Sequence, residues 1–436
     1  LTDVTVNQLW KYWPHNVWKS KTLNWLDDSL IDGKVEQGFV FVYGDLVPQL
    51  FKTGAAQFIS RAYVRDATNK FRPEWPAVEN LDAIALFTHD AVHVEVEKGM
   101  TNGVRIGSSQ VDIDSLGDGL LSVELTSSAK DDQVLDYLNH SPLSQNIKLS
   151  DTITLTGRQN IDLNFDIPLK DNKPHTFNPK GIIGFNNGTF ATEHFKLDQI
   201  NGPVKLSGHD LILKNLPAAL ETSPVTLNGT IVTKSDQGVK IDVGIDGKLD
   251  AKYLLGKIDK ELPIQGESNW QIHIKSKQDD LLMEAVSDLA GVSIELPAPL
   301  KKNTEENQLL TIKCTIPCDQ STVEINYADK ITSTIRVAAG EYQLLQLNFI
   351  NPEFTPDSNN PFGGYIDELD LDQWLELVAA NHSKSKTNTD GVAELPFTDI
   401  ALSINSLMFM SRKFEDVDLQ ISRKTDSFEV TVNSPT

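Results

Sequence analysis

The histidines and cysteines are the side chains whose spacing comes nearest to a chemical site. His89 and His93 fall on one predicted strand face, but at a spacing of four residues they stand too far apart to bind one metal ion. Cys314 and Cys318 on a straight strand would be about 13 Å apart, too far for a disulfide. Only a turn at Pro317 would join them, so their pairing stays open. We predict no metal site and no cofactor.

Carboxylate pairs such as Asp112 and Asp114 could in principle serve a glycosidase, which needs two carboxyl groups at a set separation across a cleft. No cleft or aromatic subsite is predicted around them, and surface acids are the simpler interpretation. The sequence contains no GxSxG, HExxH, Walker or GxGxxG motif. We therefore predict that the protein is not an enzyme.

Composition and charge narrow the partners further. The 436 residues include 61 Asp and Glu against 39 Lys and Arg, a net charge of -22, which repels polyphosphate and excludes nucleic acid as a partner. The hydrophobic content of 39% is that of a soluble protein. No stretch approaches the roughly 20 apolar residues of a membrane span. Because the sequence starts at Leu1 and stops in "VTVNSPT", we expect it to be a piece of a longer protein.

Apolar and polar residues alternate with a period of two from end to end, which predicts half-buried strands. Clusters of Asn, Gly, Asp and Pro separate these segments and indicate turns. The pattern predicts a meandering antiparallel β protein. The clearest alternations lie at 92–99, 160–169, 238–247, 269–277 and 321–330.

Helical periodicity is confined to four short segments, whose spacing predicts modules. The helices are predicted near 22–32, 131–139, 278–290 and 369–381. The predicted modules are 1–145 with an N-terminal helix, 146–298 ending in a helix, and 299–436 with a Trp-containing helix.

The apolar sides of the strands have two possible uses. In a β-sandwich they would face a second sheet, whereas in a curled sheet they would line a trough that receives another molecule. The pattern alone does not choose between them. The candidate lining residues are Val40, Val42, Val92, Val94, Val96, Ile161, Leu163, Phe165, Ile241, Val243, Ile245, Trp270, Ile272, Ile274, Val323 and Ile325.

Several segments resemble, in collinear order over nearly the whole chain, the YhdP branch of the AsmA-like proteins, which are related to TamB. The most recognisable is "SDLAGVSIELPAPLKK" followed by "LLTIKC". The others are "WLDDSLIDGKVEQGFVFVYGDL", "RAYVRDATNKFRPEWPAVENLDAIALFTHDAVHVEVEKG", "DTITLTGRQNIDLNFDIPL", "KGIIGFNNGTFATEHFKLDQINGPVKLSGHDL" and "YIDELDLDQWLELV".

The resemblance implies a mostly β fold, in which an elongated, twisted antiparallel sheet curls into an open groove with a few short helices. It implies a non-catalytic role in the periplasm of Gram-negative bacteria, carrying phospholipid acyl chains along the groove between inner and outer membranes. The expected partners are phospholipid and components of both membranes. The parent protein's inner-membrane anchor is expected to lie outside this chain. Residues 287–302 would then form a joint between successive sections of the sheet.

Two other functions remain open at this stage. A surface adhesin or carbohydrate-binding β-sandwich array would have closed sandwiches and exposed aromatic residues such as Trp75 as a sugar platform. An envelope assembly factor for outer-membrane proteins would share the groove but carry an unfolded strand by edge pairing.

Overall fold

A computed structural model describes most of the chain. The described residues are 1–13, 15, 18, 20–45, 47–116, 119–145, 153–168, 178–193, 195–233, 238–252, 263–278, 280–338, 340–350, 362–382, 399–424 and 427–434. The chain divides into two compact units. The first consists of Leu1–Thr222 and Thr226–Ile241, and the second of Ser223–Val225 and Asp242–Thr436.

In the described residues the chain is mostly β, with 25 strands in a mixed sheet, consistent with a β-groove. The first thirteen strands are β1 (Thr2–Thr5), β2 (Leu30–Tyr43), β3 (Gln57–Asn69), β4 (Val78–Thr88), β5 (Val92–Thr101), β6 (Val104–Ile106), β7 (Ser109–Ile113), β8 (Leu120–Lys130), β9 (Thr154–Pro168), β10 (Lys180–Ala191), β11 (Lys196–Ser207), β12 (Asp210–Leu220) and β13 (Ser223–Val232). The remainder are β14 (Lys240–Asp250), β15 (Ile264–Lys277), β16 (Asp280–Ser287), β17 (Val292–Ile294), β18 (Leu310–Thr315), β19 (Thr322–Tyr327), β20 (Ile331–Ala338), β21 (Glu341–Phe349), β22 (Phe362–Asp370), β23 (Asp399–Phe409), β24 (Arg412–Lys424) and β25 (Ser427–Asn433).

Most described strands pair with the strand that follows them in sequence, and those pairs are antiparallel. Examples are β2 with β3, β3 with β4, β8 with β9, and β14 with β15. The exception is β22, which runs parallel to both β21 and β23. The five alternating segments of the sequence all coincide with strands, namely β5, β9, β14, β15 and β19, so the strand predictions are confirmed.

Three of the four predicted helices are present. They are α1 (Ser20–Ser29), α3 (Gln133–Asn139) and α4 (Leu371–His382), and a further one-turn helix, α2 (Pro48–Lys52), was not predicted. The predicted end of α1 near residue 32 is wrong, because β2 begins at Leu30. Gly33 lies inside β2 with φ +115°, and a Cβ there would be 2.5 Å from the Cα of Ala67. This close approach of two strands explains the glycine.

The predicted helix at 278–290 is wrong, because its centre forms strand β16. "DLLMEAVS" fits both periods, since Leu281, Met283 and Ala285 alternate as in a strand, while Leu282, Ala285 and Val286 have the spacing of one helix face. Strands on both sides decide the outcome: β16 pairs with β15 and with β18 along its length. Tertiary pairing overrides the helical propensity of Leu, Met, Glu and Ala.

The segment 288–309, which follows β16, leaves the sheet instead of joining two sections of it. β16 pairs directly with β18, so the sheet is continuous past the segment. Within the segment β17 pairs with the start of β15, and the Lys302 ammonium, on a residue 1% exposed, donates hydrogen bonds to the carbonyls of Val292 and Asn303 at 2.7 and 2.9 Å. Burial lowers the pKa of Lys302. The segment is therefore a loop at the side of the sheet, and the prediction that residues 287–302 join two sections of the sheet is wrong.

Local clusters of apolar side chains fasten the helices and strand ends. Trp18, Leu26, Phe51 and Phe58 pack together where α1 and α2 meet β3. A second group, which includes Ile404, Leu407 and Val417, lies between β23 and β24. Within the described ranges, no helix has the length and apolar character needed to cross a bilayer.

The predicted three modules, 1–145, 146–298 and 299–436, stay predictions, apart from the helix placed at the end of the second.

Cys314 and Cys318 form a disulfide. Pro317 provides the turn between them and brings their Cα atoms to 5.4 Å, as the sequence required for pairing.

Candidate functional site

The strand register of the first unit aligns apolar side chains on one side of the sheet. Directly opposite residues of an antiparallel pair point to the same side. One such row runs through Val94, Val111, Val123 and Phe165. We call this surface the first apolar face; it consists of Val40, Val42, Val92, Val94, Val96, Val111, Val123, Leu125, Ile161, Leu163, Phe165, Ile183 and Val204.

Further rows extend the first apolar face across β8 to β11. Leu125 lies opposite Leu163, and Ile161 lies opposite Ile183, which in turn lies opposite Val204. The eight predicted lining residues from β2, β5 and β9 are therefore brought together on one surface. Five further residues of this surface were not predicted, although they alternate in the same way: Val111, Val123, Leu125, Ile183 and Val204.

Most of the first apolar face remains partly open to solvent. Leu163 and Phe165 are half-buried, as are Val94 and Val96, whereas Val92 is buried. The core of a closed β-sandwich would bury such side chains almost completely. The exposure is therefore that of a surface with room for another apolar molecule.

The opposite side of the same strands is polar and hydrogen-bonded across the sheet. Ser122 donates to Asp166 at 2.6 Å, and Thr126 donates to Asp162 at 3.0 Å. His93 Nδ1 lies 2.6 Å from Asp112 Oδ1, and this hydrogen bond raises the pKa of His93 and lowers that of Asp112. The sheet of the first unit thus has one apolar side and one water-facing side.

The β2 edge, residues 39–43, is the most exposed part of the first unit's apolar surface. Val40 and Val42 lie opposite Ser60 and Phe58 of β3 and are each 47% exposed. Phe41, on the other side of β2, is 53% exposed. Among the described residues, β1 pairs with β2 only as far as Gln37, so the β2 edge has no second neighbour.

In the second unit the register likewise aligns the predicted residues, but they are buried. Ile245 lies opposite Ile272, followed across the sheet by Ala285, Ile312 and Ile325. We call this surface the second apolar face; it consists of Val243, Ile245, Trp270, Ile272, Ile274, Ala285, Ile312, Val323 and Ile325. Ile241 lies two residues before Val243 on β14 and is half-buried.

The second apolar face is packed far more tightly than the first. Trp270 is 1% exposed, Ile245 2% and Ile272 4%, and of the predicted residues on this face only Ile325 is half-buried. Burying one such side chain stabilises the fold by about 1.5–3 kcal/mol. Residues of this face therefore have an evident structural role, and their role in lining a groove stays a prediction.

The two histidines of the sequence analysis serve different purposes. The ring of His89 stacks on Phe51, with centroids 5.0 Å apart, while His93 binds Asp112 and Glu95 on the polar side. Trp75, the predicted sugar platform, contacts Phe71 and Tyr137 with centroids 5.7 and 6.5 Å apart, and it is half-buried. Its ring is therefore engaged with other aromatic side chains.

Comparison with known proteins gives one family. The model of the YhdP protein family matches residues 1–436. A curated protein of Escherichia coli (strain K12), named intermembrane phospholipid transporter YhdP, is 24% identical over 330 residues, which cover 70% of this chain. The match spans 25% of that relative's length. No solved structure matches the chain.

Proposed function

The chain belongs to the YhdP family, and on that premise we propose that it carries phospholipid within the bacterial envelope, with the acyl chains lying against the first apolar face. The observation that carries the proposal is the row of half-buried side chains in the first unit, of which Leu163 and Phe165 are central. The name of the Escherichia coli relative supports the substrate class.

The physical driving force is the transfer of methylene groups from water to the first apolar face. Each buried methylene contributes about 0.8 kcal/mol, so a fatty acyl chain needs no specific polar contact to bind. A continuous apolar surface of this kind exceeds the scattered exposure usual on monomeric proteins and is typical of an interaction site. The polar headgroup would remain in water at the edge of the sheet. The process requires no covalent chemistry.

The periplasm is the compartment in which such a carrier would connect the two membranes. Contacts with inner- and outer-membrane components, and an inner-membrane anchor, are proposed to lie in the parts of longer relatives that this chain does not match. Nucleic acid is not a proposed partner, because the net charge of -22 repels it.

The test is a crosslinking map made with a phospholipid that carries a diazirine in its acyl chain. After irradiation of the purified chain with this lipid, mass spectrometry is expected to locate adducts on residues of the first apolar face, such as Val94, Leu163 and Phe165. Adducts confined to the polar side, around Ser122 and Asp166, or no adducts on a folded protein, would contradict the proposal.

A second candidate function, the carriage of an unfolded strand, is favoured by the β2 edge. Residues 39–43 expose apolar side chains on both sides of the strand, and their outer backbone groups have no partner strand among the described residues. Such an edge can add an extended peptide by backbone hydrogen bonds. Recovery of peptide rather than lipid from the purified protein would favour this function.

A further inference from the structure

A cavity of about 370 Å³ opens on the polar side of the first unit, where strands β6, β8 and β9 approach their ends. Three cationic residues, Arg105, Lys130 and Arg158, line it together with Ser128 and Gln133. Each cation comes from a different strand, so only the fold brings them together. A cavity of this size can hold a phosphate group with part of the molecule attached to it.

The strand register places two of these positive charges face to face. Lys130 of β8 lies directly opposite Arg158 of β9, and Arg105 of β6 lies opposite Ser128, two residues before Lys130. Directly opposite side chains have Cβ atoms about 4.5–5.5 Å apart, and like charges in that relation destabilise a sheet. The arrangement is unfavourable unless an anion neutralises it.

Several other cations on the sheet of the first unit form ion pairs with neighbouring carboxylates. Arg65 binds Glu97 at 2.6 Å, Lys98 binds Asp82 at 3.0 Å, and Lys196 binds Asp198 at 2.8 Å. In the described part of the chain, none of the three cavity cations forms an ion pair. Such a local excess of positive charge stands out in a protein whose net charge is -22.

The acids closest in sequence to the cavity are engaged in other contacts. Asp131 accepts a hydrogen bond from the backbone N–H of Gly157 at 3.3 Å. Asp136 accepts one from Asn102 at 2.7 Å and lies 3.2 Å from His140. The exposed Asp132, at the start of α3, forms no ion pair with the cavity cations. These carboxylates therefore leave the three cations available to an external anion.

The other lining groups complete a set of hydrogen-bond donors. The Gln133 Oε1 atom already accepts the backbone N–H of Lys130 at 2.8 Å, so the side-chain amide has its NH₂ group left to donate. The Ser128 hydroxyl is a further donor. Two guanidinium groups, which bind phosphate oxygens through paired N–H bonds, and one ammonium group supply the charge.

We propose that Arg105, Lys130 and Arg158 form a binding site for a phosphate-bearing anion. The site does not depend on the lipid carriage proposed above, because it lies on the other side of the sheet from the first apolar face. The phosphate could belong to a lipid headgroup or to a soluble phosphate compound.

The test uses the full chain, inorganic phosphate and the variant Arg158→Gln. In phosphate-free buffer of low ionic strength the variant is expected to melt at a higher temperature than the wild type, because it removes the opposed charges. Phosphate is expected to raise the melting temperature of the wild type. By calorimetric titration the variant should bind phosphate about tenfold or more weakly, as the loss of a charge-assisted hydrogen bond predicts. Lys130→Gln should behave like Arg158→Gln.

Lys205→Gln is the matched control. Lys205 is exposed on the same side of β11 and lies opposite the uncharged Ile182 and Ile212. This variant should respond to phosphate as the wild type does, at equal ionic strength set with chloride. Equal phosphate affinity in wild type, Arg158→Gln and Lys130→Gln, or an equal loss in Lys205→Gln, would overturn the proposal.

Vesicles distinguish the two sources of the phosphate. The wild type is tested for flotation with phosphatidylglycerol vesicles. If Arg158→Gln abolishes flotation, and inorganic phosphate competes with it, the phosphate belongs to a lipid headgroup. Phosphate binding without vesicle binding would identify a soluble phosphate compound. If the wild type binds neither, the site does not exist, whether or not acyl-chain crosslinks are found on the first apolar face.

Discussion

A carboxylate introduced on the first apolar face should weaken lipid binding at a small cost in stability, whereas the same change on the second apolar face should strongly destabilise its unit. The matched substitutions are Leu163→Asp and Ile272→Asp. Leu163 is half-buried between Leu125 and Gly181, and Ile272 is 4% exposed between Ile245 and Ala285. Both lie at the centre of a row, so burial is the principal difference between them.

The magnitudes follow from that burial. Full burial of a leucine contributes about 1.5–3 kcal/mol, so half-burial puts the cost of Leu163→Asp at about 1 kcal/mol, or about 2–4 °C in the melting temperature of a unit of this size. Ile272→Asp leaves a cavity and buries a carboxylate without a partner, which costs at least about 4 kcal/mol, or about 8–16 °C.

Differential scanning calorimetry measures the melting temperatures, and crosslinking to the diazirine phospholipid measures binding. The Leu163→Asp variant should crosslink about thirtyfold less than the wild type, because displacing two or three methylenes from contact costs about 2 kcal/mol. The control is Ile182→Asp, on the polar side of β10 and 49% exposed, which should retain wild-type crosslinking. If Leu163→Asp lowers the melting temperature of its unit as much as Ile272→Asp does, the first apolar face is a closed core and lipid does not bind there.

Three further predictions concern other parts of the molecule. The pKa of His93 is raised in the folded state by its hydrogen bond to Asp112. The stabilisation that protonated His93 provides should therefore be complete below the pKa of 6.5 in the unfolded chain, and it should be lost as the pH rises through the pKa in the folded protein. The difference in melting temperature between wild type and His93→Gln should shrink over that pH range. A difference that stays constant with pH would contradict this prediction. Replacing Cys314 and Cys318 by alanine opens a very short loop and should cost about 2 kcal/mol in the free energy of unfolding, measured by urea titration; a loss of folding would show that the pair does more than close this loop. Phe41→Lys on the β2 edge should reduce the amount of peptide recovered with the purified protein and change stability by less than about 0.5 kcal/mol, because Phe41 is 53% exposed; unchanged peptide recovery would mean that the edge does not bind peptide.

Strand positions could be predicted from the sequence because alternation reports directly on which side of a sheet a residue occupies. The openness of a face could not. "IDLNF" in β9 and "WQIHI" in β15 alternate in the same way, yet Leu163 is half-buried and Ile272 is buried. A single strand's periodicity carries no information about how much of its apolar side is covered. The half-exposed face that supports lipid carriage therefore became visible only with the structure.

The sequence pattern also does not determine the secondary structure of a segment that fits two periods. Nor does it show which charged residues, distant in sequence, lie close together in the fold. β16 satisfies a helical and a strand pattern, and its two partner strands select the second. Lys130 and Arg158 are separated by α3 and lie opposite each other only through the register of β8 and β9. In contrast, the sequence showed that Cys314 and Cys318 could form a disulfide only if the chain turned at Pro317. It did not show whether that turn is present.

The pairing of most described strands with their sequence neighbours also affects how the chain folds. Hairpins of this kind close short loops, so a nascent chain can add one strand at a time to a growing edge, much as a repeat protein propagates. β22 interrupts this order, since it runs parallel to both β21 and β23, and parallel strands cannot be joined by a short hairpin. Sequential strand pairing from the amino terminus should therefore pause after β21. Strands β22 to β25 should then join the sheet in a separate, slower step.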